Sequence, residues 1–310
     1  MIFNGECLNV FCATRPPGHH AGRELHAMKA VSNGFCILNQ VACASIYATT
    51  PIADGGLGLS RVCVIDIDVH HGNGTQDVLC STYDPRFLYV SMHAGGPDIN
   101  GLDIEDDELE QVELHLRGDE KQGIFPGRCG DTSPHKGILN IPLGGRVTSH
   151  ALGTALVNKV NPAVKEFNPE IIIISAGFDA HKNDPLNLGG LTAEDFGTLT
   201  EVICKLAHTC CSGRVLSVME GGYGVPCCRP QNFARRANND VSHHPDPNDS
   251  NKPEPDLRCL DLGSDLPPSM MDVISSYALK KRLDKCHQEG FIHCVQEHVS
   301  ALARCNEVKR

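Results

Sequence analysis

Two aspartates and two histidines follow a short apolar run in the sequence RVCVIDIDVHHGNGTQD, residues 61–77. In an extended chain, residues two apart point to the same side, so Asp66, Asp68 and His70 would share one face. Carboxylate oxygens together with an imidazole nitrogen suit zinc or another divalent transition metal. A catalytic zinc site has three protein ligands and one open position, and Asp179 in IIIISAGFD is the candidate third ligand. A single aspartate here would more often only cap a strand, but the two motifs together favour a metal site.

A second cluster is RPPGHHAG, residues 15–22, in which a Pro-Pro-Gly turn presents His19 and His20 side by side. Two adjacent imidazoles resist double protonation, so one can stay a neutral base while the other carries charge. A third cluster is MEGGY, residues 219–223, where glycines allow close backbone approach and Tyr223 offers a phenolic donor to a developing oxyanion. Taken alone, the third cluster indicates a plain tight turn.

The elements that must position these clusters are apolar strands alternating with helices. Five runs have the character of strands buried on both faces, at 62–68, 87–92, 137–143, 171–179 and 214–222. Helices are predicted over 36–49, over 149–167 with a break at Pro162, and over 192–211, where Thr192 and Asp195 suggest a capped start. This alternation predicts an α/β domain with a mainly parallel central sheet and helices on both faces. The polar clusters lie where such a sheet carries its chemistry, at the carboxyl ends of strands.

Composition narrows the class of protein. The chain has 310 residues, 41% of them hydrophobic, and a formal net charge of -11, which argues against direct nucleic-acid binding. No run is long and apolar enough for a membrane span, and the N-terminus has no signal-peptide pattern, so we expect a soluble intracellular protein. None of the 16 cysteines forms a Cys-x-x-Cys pair, and most are expected to be reduced core residues.

Two segments interrupt the pattern and set the predicted domain organisation. Residues 97–122 carry ten Asp or Glu against one Arg and one Lys, which is typical of a solvated acidic insertion, centred on 98–120. The predicted organisation is a domain over 1–225, a proline-rich irregular or disordered insertion over 226–268, and a C-terminal helical part over 269–310 that packs back on the domain.

Seven motifs resemble those of one known family. RPPGHHA, SNGFC, VIDIDVHHGNGTQ, YVSMH, FPG, AGFDAHKNDPL and EGGY occur here in the order seen in zinc-dependent histone deacetylases, and HHGNGTQ is similar to their class II branch. The resemblance covers roughly residues 8–225 and implies the single-domain arginase/deacetylase-like fold. Family members carry a long N-terminal part ahead of RPPGHH, which this chain is expected to lack.

The resemblance implies a role for each matched position. Asp68, His70 and Asp179 would be the zinc ligands. His20 would be the general base that activates the attacking water and later returns the proton to the leaving lysine amine. Tyr223 would polarise the acetyl carbonyl and stabilise the tetrahedral oxyanion.

The resemblance also implies three sets of supporting residues. Electrostatic and hydrogen-bond support for the site would come from His19, Asp66, Asn73 and Asp184. A narrow channel for the lysine stem would be lined by Gly34, Phe35, Phe125 and Gly222. A structural K⁺ would be held, largely through backbone oxygens, by Asp66, Asp68, His70, Ser91 and Met92.

The implied activity is hydrolysis of the acetamide of N-acetyl-lysine in histones or other proteins, with one catalytic Zn²⁺ and a structural K⁺. Its partners would be acetylated-lysine proteins and corepressor proteins, with no membrane and no direct nucleic-acid contact. Chromatin regulation and transcription repression, in the nucleus, the cytoplasm or both, would follow.

Three alternatives stay open. An acetylpolyamine amidohydrolase would use the same site with a different rim. An arginase-like ureohydrolase with two manganese ions would need a further carboxylate two residues after Asp179, where the sequence has His181. A catalytically idle deacetylase-like scaffold in a repressor complex would keep the fold without the chemistry.

Overall fold

The central sheet of the protein consists of parallel strands, seen in a computed structural model that describes residues 1–26, 30, 32–81, 83–95, 124–126, 137–184, 186, 188–223 and 290–307. The strands are β1 Asn9–Cys12, β4 Val62–Asp66, β5 Phe87–His93, β6 Ile138–Pro142, β7 Ile171–Ala176 and β8 Val215–Met219. They lie in the order β1-β8-β7-β4-β5-β6. A short antiparallel pair, β2 Ala21–Gly22 and β3 Leu25–His26, stands apart from this sheet. The predicted parallel α/β architecture is confirmed.

Apolar side chains cover both faces of the sheet because successive residues of each strand point to opposite sides. In β7, Ile172 and Ile174 pack into one core, whereas Ile171 and Ile173 pack into the other. A sheet buried on both faces explains why the strands read as continuous apolar runs. Three predicted strands end sooner than expected, since β4, β7 and β8 stop before the polar residues that follow them. Those polar residues therefore lie in turns at the strand ends.

The helices form a layer on each side of the sheet. Their bounds are α1 Gln40–Thr49, α2 Asn73–Cys80, α3 Ser149–Ala155, α4 Asn161–Phe167, α5 Ala193–Cys211 and α6 Phe291–Glu307. Side chains of α1 and α2 belong to one core, and those of α3, α5 and α6 belong to the other. Helix α1 begins later than the predicted 36–49, because the side chain of Asn39 caps it by accepting from Ala42 N. The predicted capped start of α5 is present as a reciprocal pair of bonds between Thr192 and Asp195.

The expected helix break at Pro162 is wrong. Helical backbone runs from α3 through a π-helical segment, Leu156–Val160, into α4. A proline ring clashes with the carbonyl four residues earlier in a regular α-helix, here that of Asn158. The wider π turn falls at that carbonyl and accommodates the ring, so the helix continues.

Helix α6 closes one face of the sheet from the C-terminal end of the described chain. It lies within the predicted helical part 269–310, packs on α5, and bonds to the edge strand through Asn9 Nδ2, which donates to Leu302 O at 2.9 Å. The acidic insertion 97–122, the segment 226–268 and the boundary at 225 lie outside the described residues, so those parts of the domain organisation stay predictions. Among the described helices, none has the length and apolar character to cross a bilayer.

A buried histidine fastens α6 to the sheet. His298 Nδ1 lies 2.6 Å from Thr200 Oγ1 of α5, and Nε2 lies 2.7 Å from Ser217 Oγ of β8. The Thr200 hydroxyl donates to Phe196 O, so its oxygen accepts from His298 Nδ1 and Ser217 donates to Nε2. Both ring nitrogens are satisfied by a neutral imidazole.

Acid should therefore destabilise the docked helix. Burial lowers the pKa of His298 from 6.5 to about 4. Between these two pH values, the unfolded chain therefore binds a proton at this histidine that the folded protein does not bind. Between these pH values, the unfolding free energy should fall with decreasing pH more steeply in wild type than in His298→Gln, by up to about 1.4 kcal/mol per pH unit. Denaturant titrations at several pH values measure the slopes, with the exposed His150→Gln as the control for loss of a histidine. Parallel curves for wild type and His298→Gln would contradict the assignment.

Candidate metal centre and active site

Four neighbouring strands deliver the polar clusters to one edge of the sheet. In the order β1, β8, β7, β4, the residues that follow these strands include the histidine pair, Glu220–Tyr223, Asp179, and Asp68 with His70. Because parallel strands end at the same edge, segments far apart in sequence meet there. The structure thus brings the three sequence clusters into one site.

Asp68, His70 and Asp179 converge on one point. One ligand atom from each lies within 4.8 Å of the other two, and all three residues are buried. His70 Nδ1 is 3.1 Å from Asp68 Oδ1 and 3.0 Å from Asp179 Oδ2. Burial alone would lower the pKa of His70, yet the bonds to both carboxylates raise it to about 10, which shows how strongly this position favours positive charge. A donor set of two carboxylates and one imidazole nitrogen fits a divalent cation such as zinc.

Backbone amides aim the two carboxylates. Gly221 N donates to Asp68 Oδ2 at 2.8 Å, and Val69 N donates to Asp179 Oδ1 at 3.0 Å. The second oxygen of Asp68, Oδ1, also accepts from a backbone amide, that of His70 at 3.0 Å. These amides fix the orientation of both carboxylates, as is usual for residues that hold a metal. A Cβ atom at Gly221 would lie 2.5 Å from both carboxylates, so this position requires glycine. Gly221 was not predicted as a site residue.

The histidine pair is differentiated by its partners. His19 Nδ1 lies 3.0 Å from Asp66 Oδ2, and Nε2 lies 3.6 Å from Asp68 Oδ1. Burial opposes a charge on His19, but these two carboxylates outweigh it and raise its pKa well above the ordinary value. His20 lies with its ring centroid 4.0 Å from that of His19. Burial and then the neighbouring charge of His19 lower the pKa of His20 well below the ordinary value.

A hydrogen bond to Asn73 sets the tautomer of His20. Nδ1 of His20 lies 2.7 Å from Asn73 Oδ1, an oxygen that only accepts, so Nδ1 carries the proton. The lone pair of Nε2 is therefore available to accept a proton. The ring of His20 lies beside the metal centre, with its centroid 5.9 Å from the centroid of the His70 ring.

Glu220 anchors the histidine turn, a role that sequence reasoning did not assign. Its Oε2 accepts from Gly18 N at 2.6 Å and from His19 N at 3.1 Å, while Oε1 accepts from Ser175 Oγ at 2.9 Å. Burial raises the pKa of Glu220 to about 7, although the charge of His19 opposes this. The signal was present as an acidic residue ending the apolar run VLSVM. Tyr89 is a second missed residue, because its hydroxyl donates to Asp66 Oδ2 at 3.1 Å.

Tyr223 is seated by contacts on several sides. Its backbone N–H donates to Asp184 Oδ2 at 2.9 Å, so Asp184 holds the backbone of Tyr223. The guanidinium of Arg15 lies 5.2 Å from the Tyr223 ring centroid and also donates to Glu220 O. Burial and then the charges of Asp68 and Asp179 raise the pKa of Tyr223 above the ordinary value, so its hydroxyl stays a hydrogen-bond donor.

Two aromatic rings flank the centre where a channel was predicted. Phe125 lies edge-on to His20 with centroids 4.8 Å apart, and Phe35 lies 5.4 Å from Tyr223. Phe35 is 72% exposed, as expected for a residue at an entrance. Gly34, with φ +50°, brings its backbone between His20 and Phe125, and a Cβ there would contact both rings. Gly222 adjoins Tyr223, and its missing side chain would point at Phe291.

The positions predicted to hold K⁺ also lie together. Asp66 is paired in register with Ser91 at the ends of β4 and β5, Met92 follows Ser91, and Asp68 and His70 lie in the turn after β4. The Ser91 hydroxyl is 2.8 Å from His93 Nδ1. Potassium binding at this place stays a prediction.

A second cluster with metal-ligand chemistry adjoins the first. Ligand atoms of His19, Cys36 and Glu220 lie within 4.8 Å of one another. Each is already engaged: His19 with Asp66, Glu220 with backbone amides, and Cys36 Sγ as an acceptor from His20 N at 3.4 Å. Burial raises the pKa of Cys36 to about 12, which disfavours the thiolate that a metal needs. This cluster is therefore a hydrogen-bonded support for the histidine turn.

Comparison with known proteins places the chain in a family. Residues 1–232 match the family described as histone deacetylase domain. The chain belongs to the histone deacetylase family, as the motif resemblance predicted.

Similar proteins come from distant organisms. The chain is 39% identical over 224 residues to type-2 histone deacetylase 2 of Dictyostelium discoideum, which covers 70% of this chain and 11% of that protein. It is 34% identical to human histone deacetylase 9, over 72% of this chain and 19% of that protein. The crystal structure of the HDA15 HD domain aligns with a TM-score of 0.50 and 26% identity, over 98% of this chain and 67% of that one. The chain thus spans only part of the curated relatives it matches.

The three converging ligands should be required for metal uptake. His70→Ala removes one of them, and the adjacent His71→Ala serves as a matched control because His71 Nε2 bonds Gln76 Oε1 on the other side of the turn. After dialysis against zinc and removal of the excess, elemental analysis should find about one equivalent in wild type and His71→Ala and almost none in His70→Ala. Equal zinc content in both variants would contradict the ligand assignment.

Proposed function

We propose that this chain carries a zinc-dependent deacetylase site that hydrolyses the acetamide of N-acetyl-lysine in proteins and releases acetate. The observation that carries the proposal is the convergence of Asp68, His70 and Asp179 beside a neutral, correctly oriented His20 and a seated Tyr223. Membership in the histone deacetylase family supports the same reaction class.

Zinc held by the three ligands would supply Lewis-acid activation of the amide carbonyl and of a water molecule. The protein's own residues supply proton transfer. His20 can accept a proton at Nε2, because Asn73 fixes the hydrogen of the ring on Nδ1. The same proton can then be donated to the leaving amine of lysine, which departs as a neutral group.

His19 makes this exchange asymmetric. Its interaction with Asp66 and Asp68 favours the charged imidazolium, and that charge lies 4.0 Å, ring to ring, from His20. A positive neighbour disfavours a proton on His20 and keeps the base free before the reaction. It also makes the protonated His20 a stronger acid when the leaving amine needs a proton.

Tyr223 would donate its hydroxyl hydrogen bond to the carbonyl oxygen as negative charge develops there. Its raised pKa keeps the proton on the phenol, and Arg15 and Asp184 hold the ring and the backbone N–H in place. A donor that is already oriented stabilises the transition state without reorganisation at the moment of reaction.

The flanking aromatic rings favour a slender apolar stem on the substrate. Phe35 and Phe125 lie beside Tyr223 and His20, respectively, and would grip the methylene groups of lysine. We propose acetylated-lysine proteins, including histones, as substrates, with corepressor proteins as partners. Nuclear or cytoplasmic localisation, transcription repression and the structural K⁺ belong to this proposal.

Catalysis should depend on His20 and Tyr223 separately from metal binding. His20→Ala should lower kcat by about 10²- to 10⁴-fold because the general base is lost. Tyr223→Phe should lower kcat by about 10²- to 10³-fold because one oxyanion donor is lost. Acetate release from an acetyl-lysine peptide measures both, with exposed His150→Ala and Tyr83→Phe as matched controls expected to keep the wild-type rate.

Each outcome separates the competing functions. Zinc content near one equivalent in both slow variants supports the assigned roles. Faster hydrolysis of acetylspermidine than of the peptide would identify an acetylpolyamine amidohydrolase. Wild-type protein that holds zinc yet releases acetate from neither substrate would contradict the enzyme proposal and identify a scaffold.

A further inference from the structure

The first residue of α6 occupies the place of a missing side chain beside Tyr223. Gly222 has φ +123°, and a Cβ atom there would lie 2.6 Å from Phe291 Cδ2 and 2.7 Å from Cε2. The Phe291 ring therefore packs directly against the backbone of Gly222. Glycine has the widest backbone freedom of any residue, so a contact at this point restricts where the next residue goes.

The same ring reaches the strand end that carries a metal ligand. Phe291 lies edge-on to Phe178, with centroids 5.9 Å apart, and Phe178 directly precedes Asp179. Phe178 N also donates to Gly221 O at 2.9 Å, which ties this strand end to the Gly221–Tyr223 loop. Phe291 thus contacts both the loop that carries Tyr223 and the strand end that carries Asp179.

Helix α6 has the anchorage to act as a fixed support. His298 links it to α5 and β8, and Leu302 O accepts from Asn9 of the edge strand. Those anchors lie two to three turns beyond Phe291 along the helix. The ring is therefore held by the sheet and α5 independently of the loop that it supports.

We propose that Phe291 is a positioning residue: its packing on Gly222 fixes the direction in which Tyr223 leaves the loop, and so places the Tyr223 hydroxyl for the transition state. The inference rests on the proposed deacetylase function. The Phe291 ring packs on Gly222 and Phe178, neither of which is a proposed metal ligand or an aromatic ring of the predicted channel. Its effect should therefore fall on kcat and leave KM nearly unchanged.

The primary test is Phe291→Ala in the full chain. Displacement of a catalytic group by about 1 Å can cost up to about 100-fold in rate, so we expect kcat to fall about 10- to 100-fold with KM within about twofold. Zinc content should stay near one equivalent. Phe291→Leu keeps an apolar contact at the same place and should recover much of the rate.

The control for stability alone is Leu302→Ala. Leu302 is buried on the same helix, 11 residues further along and so about 16 Å away, and its truncation also opens a cavity in the core. This variant should lower the unfolding free energy to a similar extent while keeping the wild-type kcat. A matched loss of kcat in both variants would overturn the proposal, because general loosening of α6 would explain it.

A double-mutant cycle with Tyr223→Phe gives the decisive readout. If Phe291 acts through the Tyr223 hydroxyl, Phe291→Ala should slow the Tyr223→Phe protein by less than about twofold. Multiplicative losses, or a wild-type kcat in Phe291→Ala beside a slow Tyr223→Phe, would overturn this inference and leave the proposed function standing. A wild-type kcat in Tyr223→Phe would overturn the proposed function itself. Should Phe291→Ala fail to fold, Phe291→Leu carries the same cycle with a smaller factor.

Discussion

Two carboxylates buried against one another form the constraint on which the site depends. Asp68 and Asp179 each lie about one hydrogen-bond length from His70 Nδ1, in an interior where unpaired charge is strongly disfavoured. A cation bound between the two carboxylates would resolve that conflict. The backbone amides of Val69 and Gly221 keep both groups aimed at the same point, so the loops after β4, β7 and β8 must hold their register.

The carboxylates near this centre also set the protonation states of the two neighbouring histidines. The two carboxylates of Asp66 and Asp68 favour the protonated, positively charged form of His19. That charge in turn favours the neutral form of His20. Glu220 fixes the turn that presents both rings, and Asn73 selects which nitrogen of His20 carries the proton. The two adjacent imidazoles thus have different chemistry because their neighbours differ, although their sequence context is nearly the same.

Much of this was accessible from the sequence, for identifiable physical reasons. Continuous β-branched runs such as IIIIS favour strands covered on both faces, and the polar residues at the carboxyl ends of parallel strands then share one edge. The contacts of Gly221, Glu220 and Phe291 were not accessible in the same way, although the position of Glu220 at a strand end was visible in the sequence. Each depends on a contact between segments far apart in the chain, such as Glu220 with Gly18, and no local pattern encodes such a pairing. The π turn before Pro162 was likewise not evident from the sequence, where a proline normally indicates a helix break.

X-ray absorption at the zinc edge tests the central claim most directly, because two clusters with ligand chemistry lie side by side and only one contains sulfur. Protein loaded with one equivalent of zinc should show only nitrogen and oxygen neighbours, at about 2.0–2.2 Å, as Asp68, His70 and Asp179 require. A sulfur shell at about 2.3 Å would place the ion on Cys36 instead and contradict the account.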